Sequence, residues 1–230
     1  MDTSQNLDRV HEYYCAPRTV NGRELTIYDI WEEGGAFNDS ITPSTYSPEY
    51  RSHMLLKLLG MCEPEDTVFS IGCGNGVIEG DLVAHKQRVV GIDCNNRAIE
   101  LARNKGVHAY VADFFSLTAE ALAGVSVIYA DGLLGHLFHP KDGLGLVFTK
   151  LKALSPKPGT WLVLSNDAPR QPGVPYAPHE HVEDFWFISR DYLSACLTDF
   201  GFRPLEAYYF PYIRPISGLR NRTLCVASMP

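Results

Sequence analysis

Three glycines and one aspartate set the chemistry this chain is equipped to do. Gly72, Gly74 and Gly76 close the apolar run Val68-Phe69-Ser70-Ile71, and Asp93 ends a second apolar run further on. Glycine lets the backbone turn sharply and come close to a ligand. An acidic residue about twenty positions beyond the first glycine can accept hydrogen bonds from both hydroxyls of a ribose, so the pair points to a nucleoside cofactor. A dinucleotide site of the usual kind would have its third glycine at position 77, where this chain has Val77. The chain also contains no Tyr-x-x-x-Lys pair for short-chain hydride chemistry.

The elements that must position these residues follow from the hydrophobic pattern. Apolar runs at 67–71, 88–92, 107–111, 125–130 and 160–165 predict short strands buried on both faces. Helical patterns at 75–85, 95–105, 117–123 and 143–154 alternate with them, and a further helix is expected over 189–200. Alternation of this kind predicts an α/β fold, a doubly wound and mostly parallel seven-stranded sheet covered on both faces. Asn95 reads as an N-cap and Gly106 as a helix stop. Strands at 203–210 and 222–229, joined through Pro211, Pro215 and Gly218, predict an antiparallel C-terminal hairpin.

Two stretches fall outside this core. Residues 1–46 carry Tyr13, Tyr14, Tyr28, Trp31, Phe37 and Tyr46 without sustained periodicity and read as an aromatic lid segment, with the main domain over 47–230. Ser47-Pro48-Glu49 reads as the cap and first turn of a helix to Leu59. Residues 167–187, with four prolines and His179-Glu180-His181, read as a long loop, and loops of that length are often functional.

Over about residues 50–230 the chain resembles the class I S-adenosylmethionine-dependent methyltransferases, whose first motif runs hydrophobic-Asp/Ser-hydrophobic-Gly-Cys-Gly-x-Gly. Ser70-Ile71-Gly72-Cys73-Gly74-Asn75-Gly76 matches it, with Ser70 in place of the commoner acid. The resemblance implies that this bend wraps the methionyl part of S-adenosylmethionine, with S-adenosylhomocysteine as product. It also implies that Asp93, beside Cys94, binds the ribose. Asp113, with Phe114 and Phe115, would hold the adenine, and Asp131 would complete the cofactor contacts.

The same resemblance places acceptor-facing groups in the segment 130–139. That segment lacks the Asp/Asn-Pro-Pro-aromatic signature of enzymes that methylate nucleic-acid bases, and its Gly135-His136-Leu137 portion is similar to small-molecule methyltransferases. His136 is the first candidate for a base or acceptor-orienting residue, with Asp131 beside it; a histidine that only closes the core is the competing reading. His139, before Pro140, reads as a turn residue. Tyr14, Tyr28, Trp31, Tyr46 and Asp167 are the further candidates for acceptor binding. An aromatic lid suits a partly apolar or cationic acceptor. Arg214 or Arg220 could meet an acceptor carboxylate, against a solvated surface role.

Other readings stay open. Asp131 with Asn166-Asp167 could hold Mg²⁺ as in catechol-type O-methyltransferases, although the order Asn-Asp is reversed from that family's, and the expectation is no metal. His179 and His181 could bind a metal or be exposed polarity. An NAD(P)-dependent oxidoreductase and a non-enzymatic adenosyl-binding module complete the alternatives.

The bulk numbers agree with a small-molecule partner. A net charge of −7 without any basic tract argues against nucleic acid. The polar amino terminus has no apolar signal core, and no run approaches the roughly 18 apolar residues of a membrane span. Six scattered cysteines without Cys-x-x-Cys spacing read as reduced thiols, so the expectation is a cytoplasmic protein that does not enter membranes.

Overall fold

The computed structural model describes residues 7–34, 43–180, 182, 184–214 and 218–230. Phe37, His181 and Pro215 lie outside the described residues. The chain opens with helix α1 (Leu7–Cys15), a small ladder of β1 (Arg18–Val20) and β2 (Arg23–Leu25), and helix α2 (Ile27–Glu32). This regular structure forms where the sequence shows no sustained periodicity. Thr26 and Asp29 form a reciprocal capping box that starts α2: the Asp29 amide donates to the Thr26 hydroxyl at 3.2 Å and the Thr26 amide to the Asp29 carboxylate at 3.0 Å. Helix α3 (Pro48–Leu59) follows, with Pro48 in its first turn.

A seven-stranded sheet then forms in the spatial order β10-β11-β7-β6-β3-β4-β5. Its parallel members are β3 (Thr67–Ile71), β4 (Arg88–Asp93), β5 (His108–Val111), β6 (Val127–Asp131) and β7 (Trp161–Asp167). Helices α4 (Val77–Ala84) and α5 (Asn96–Asn104) link the first three strands, and α6 (Leu133–Leu137) and α7 (Gly145–Ala153) link β6 to β7. The strand order reverses between β3 and β6, which opens a crevice at the carboxyl ends of those strands.

The period-two alternation of β3 divides the core. Phe69 and Ile71 join one cluster with Ile128, Leu164, Phe148 and Leu193, whereas Val68 joins Tyr50, Met54, Val127 and Tyr129 on the opposite face. Burying each such side chain contributes roughly 1.5–3 kcal/mol. Among the described residues no helix is long and apolar enough to cross a membrane.

Three expectations change. The helix expected over 117–123 is instead two 3₁₀ turns, Phe114–Ser116 and Ala119–Leu122. Lys150 Nζ takes the Leu117 carbonyl at 2.7 Å, and left-handed Gly124 (φ +75°) ends the segment before an α-helical turn can propagate. The supposed loop 167–187 contains a ladder of β8 (Tyr176–Pro178) and β9 (Trp186–Ile188), where Phe138, Tyr176 and Trp186 pack ring on ring at 4.7–6.0 Å. After α8 (Arg190–Asp199), the hairpin of β10 (Arg203–Arg214) and β11 (Gly218–Ser228) is longer than expected. Its apical half carries Tyr212, Arg214 and Arg222 to the crevice.

Candidate active site

The crevice holds a cavity of about 220 Å³. Its floor is the glycine bend, held to β4 because the Gly72 and Cys73 amides both donate to the Ile92 carbonyl, at 2.8 and 2.9 Å. Gly76 has φ +68°, and a Cβ there would lie 2.8 Å from the Ala102 Cβ, so position 76 needs glycine for both conformation and space. Helix α4 therefore starts at Val77, two residues later than the sequence pattern indicates, and Asn75 belongs to the bend.

Asp93 ties this bend to the next helix while facing the cavity. Its carboxylate accepts from the Gly74 amide at 3.0 Å and from the Asn95 amide at 2.9 Å. Burial raises its pKa, against the lowering effect of those amide bonds. Cys73, Asn75, Cys94, Asp113, Phe114 and Asp131 also reach the cavity wall.

Four expected contacts lie behind it. Gly76 is covered by Ala102. Phe115 turns into the core against Phe114, ring to ring at 5.0 Å. The Tyr46 hydroxyl accepts from Asn75 Nδ2 at 2.6 Å and so acts through that amide. Ser70 donates to Glu79 at 2.6 Å, and it is Glu79, on α4, that lines the cavity. Only 4% exposed, Glu79 has its carboxyl pushed up to about 7 by burial. An acid is thus present beside the bend, but on α4 rather than at the strand position 70 where the family motif has it.

Part of the lining is aromatic. Tyr14 stacks on Tyr28 with centroids 5.5 Å apart, and Trp31 meets both edge-on, at 6.3 and 5.3 Å. Arg97 on α5 donates to Asp29 at 2.6 Å and fixes α2 in place. The Tyr14 hydroxyl lies 2.9 Å from His136 Nε2. Burial lowers the His136 pKa to about 4, a shift partly offset by hydrogen bonding to the Asp184 backbone, so the ring is neutral at physiological pH. Nε2 and the Tyr14 hydroxyl thus share one hydrogen bond, whose donor is decided by the ring tautomer. Two buried polar atoms here, Tyr13 Oη and Trp31 Nε1, have no hydrogen-bond partner among the described residues. His139 pairs with Asp142 at 2.8 Å in a turn. His179, expected as exposed polarity, is instead half-buried in the cavity wall against Phe187.

The residues considered for a metal have other partners. Arg222, on β11 and 4% exposed, bridges Asp131 and Asp167, with Nη1 3.1 Å from Asp167. Asp131 also accepts from the Tyr50 and Tyr129 hydroxyls at 3.1 and 3.0 Å, and Asp167 from Tyr212 at 2.9 Å. The Asn166 carbonyl points away, accepting from the Gly135 amide at 2.9 Å. The donor set does not fit Mg²⁺: a guanidinium fills the position between the carboxylates, and among the described residues no group of three His, Cys, Asp or Glu side chains could hold a metal ion. The guanidinium pairs lower the Asp167 pKa against its burial, so it is an anion. Arg214, expected at the surface, is 8% exposed and lines the cavity.

Glu79, Arg222 and the phenols Tyr50 and Tyr129 were not singled out from the sequence. A signal existed for Arg222, a charge just before the apolar run Leu224–Ala227, but its partners are set by the register Arg222↔Asp167, which spacing does not reveal.

A model of the methyltransferase domain family matches residues 45–207. The chain is 61% identical over 98% of its length, and 90% of the relative's, to a protein named tabtoxin biosynthesis enzyme from Pseudomonas amygdali pv. tabaci. Among solved structures, magnesium protoporphyrin IX methyltransferase from Synechocystis PCC 6803 with bound S-adenosylhomocysteine superposes at TM-score 0.66. It is 14% identical, covering 99% of this chain and 100% of that one. The 1,6-didemethyltoxoflavin-N1-methyltransferase of Burkholderia thailandensis superposes at 0.58 with 22% identity, over 78% of this chain and 76% of that one. Sheet order, glycine bend, cavity-lining Asp93 and family match agree: this chain belongs to the methyltransferase domain family.

Proposed function

We propose that the protein transfers a methyl group from S-adenosylmethionine to a nitrogen of a small molecule, as a cytoplasmic enzyme of natural-product biosynthesis. The observation that carries this reading is one cavity lined by the glycine bend, Asp93 and the Tyr14–His136 pair. The name of the 61% identical relative supports the pathway class, and six free cysteines suit a reducing compartment.

When bound, S-adenosylmethionine supplies a methyl carbon already activated by a sulfonium. Asp93 would hold the ribose hydroxyls, Asp113 and Phe114 the adenine side, and the 72–76 bend and Glu79 the methionyl side. The lid over residues 1–46 contributes Tyr14, Tyr28 and Trp31, which exclude water and offer ring faces to a cation. The neutral imidazole of His136 is a weak base, with a pKa of about 4. Such a base suits an amine that already presents a lone pair better than a hydroxyl that must first be ionised. Asp131 would contribute by holding Arg222 and the phenols around the acceptor, with Asp167 on its far side.

Calorimetry with S-adenosylhomocysteine, followed by incubation of matched amines and phenols with a methyl-labelled donor, tests the reading. We expect binding, and label in amines. Label confined to phenols would overturn the assignment to nitrogen, and binding without any label would make the protein a non-catalytic adenosyl-binding module.

A further inference from the structure

The family motif has its acid at strand position 70, where this chain has Ser70, and the acid stands on α4 instead. The Ser70 hydroxyl donates to Glu79 Oε1 at 2.6 Å, which ties the carboxyl to the end of β3, and Glu79 lines the cavity beside the glycine bend. The groups around it do not neutralise it. Asp93 on β4 and Asp131 on β6 both oppose its ionisation. The neighbouring thiol of Cys73 and phenols of Tyr50 and Tyr129 stay protonated, their pKa values raised by burial. Cations of the surrounding elements have other partners: Arg222 bridges Asp131 and Asp167, Arg51 on α3 pairs with Asp81 at 2.5 Å, and Lys105, at the end of α5, pairs with Glu32 and donates to the Asn75 carbonyl at 2.9 Å. A carboxyl buried among such groups favours its neutral form, in keeping with a pKa pushed up to about 7.

We propose that Glu79 receives the ammonium of the cofactor's methionyl end: it carries a proton before S-adenosylmethionine enters, releases it to solvent on binding, and pairs with the ammonium as a carboxylate. This inference rests on the methyl-transfer reading of the same cavity. The O–H bond of the acid breaks, its proton goes to bulk water, and no other bond changes. A carboxylate beside an ammonium gains a charge-assisted hydrogen bond, and an adjacent opposite charge favours the ionised form. The complex therefore binds fewer protons than the free protein, so affinity is full above pH 7 and falls as pH drops through it. An adenosyl ligand that lacks the amino-acid end leaves Glu79 protonated and gains nothing from the pH change.

The experiment uses the full chain and two probes, S-adenosylhomocysteine and methylthioadenosine, which keeps the adenosine and thioether without the amino acid. Calorimetry is run in buffers of different ionisation enthalpy between pH 6 and pH 7.5. S-Adenosylhomocysteine should release about half a proton at pH 7 and bind about tenfold more weakly at pH 6 than at pH 7.5. Methylthioadenosine should do neither, which separates Glu79 from Asp93 on the ribose side. Glu79→Gln should abolish the proton release and weaken S-adenosylhomocysteine about tenfold or more at pH 7.5. Its affinity for methylthioadenosine should be unchanged, which also reports that the variant is folded. Ser70→Ala removes the donor that favours the carboxylate, so the midpoint of the pH dependence should move up. A flat pH profile for S-adenosylhomocysteine, an equal response from methylthioadenosine, or proton release retained in Glu79→Gln overturns the proposal. Failure of both probes to bind the wild-type chain overturns the methyl-transfer reading instead.

Discussion

Glu79 is a buried acid beside a cofactor bend, and its ionisation should be visible in stability. Folding raises its pKa from the ordinary 4.5 to about 7, so the native state binds the proton more tightly than the unfolded chain does. That contribution is complete below pH 4.5 and is lost as pH rises through 7, about 3 kcal/mol in all. Denaturant unfolding of the ligand-free protein at pH 5 and pH 8 should show the loss, and Glu79→Gln should flatten it. At Asp93, replacement by Ala removes charge-assisted hydrogen bonds and should weaken S-adenosylhomocysteine binding by about 1–3 kcal/mol, measured by calorimetry. Tyr14→Phe and His136→Ala should lower turnover while leaving that binding intact; unchanged turnover in both would return the pair to a packing role. Asp93 was legible because spacing from a glycine motif is a one-dimensional property. Glu79 was not, since its position depends on how the first turn of α4 rotates over β3.

At the level of elements, the parallel strands and their helices were readable because each is an uninterrupted apolar run or a 3.6-residue pattern with its own stop signal. The 117–123 segment was misread because the competitor for its backbone, Lys150, comes from a distant helix. Gly76→Ala tests the junction of β3 and α4. It combines a left-handed conformation with a Cβ 2.8 Å from Ala102, so it should cost at least about 2 kcal/mol in urea unfolding. Arg222→Met tests the junction of β11 with β6 and β7. It leaves Asp131 and Asp167 without their shared guanidinium, and a loss of about 3–5 kcal/mol is expected by the same measurement. Adding Asp131→Asn should restore part of it.

For the molecule as a whole, the amino-terminal segment and the carboxyl-terminal hairpin close over the sheet from opposite sides of the crevice. Ile27, Tyr28 and Trp31 share a buried cluster with Ala98 and Leu101 of α5, separate from the two clusters that flank the sheet. Removing residues 1–33 should therefore leave the sheet folded by circular dichroism while abolishing turnover; retained turnover would take the lid out of the site. The hairpin has a different consequence, which concerns synthesis. Asp131 and Asp167 emerge from the ribosome before the arginine that neutralises them both. Until β11 is made and docked, the centre of the crevice carries two carboxylates that burial strongly disfavours, so a chain arrested short of Arg222 cannot close its core there. The counter-ion of the site thus ties closure of the crevice to completion of β11.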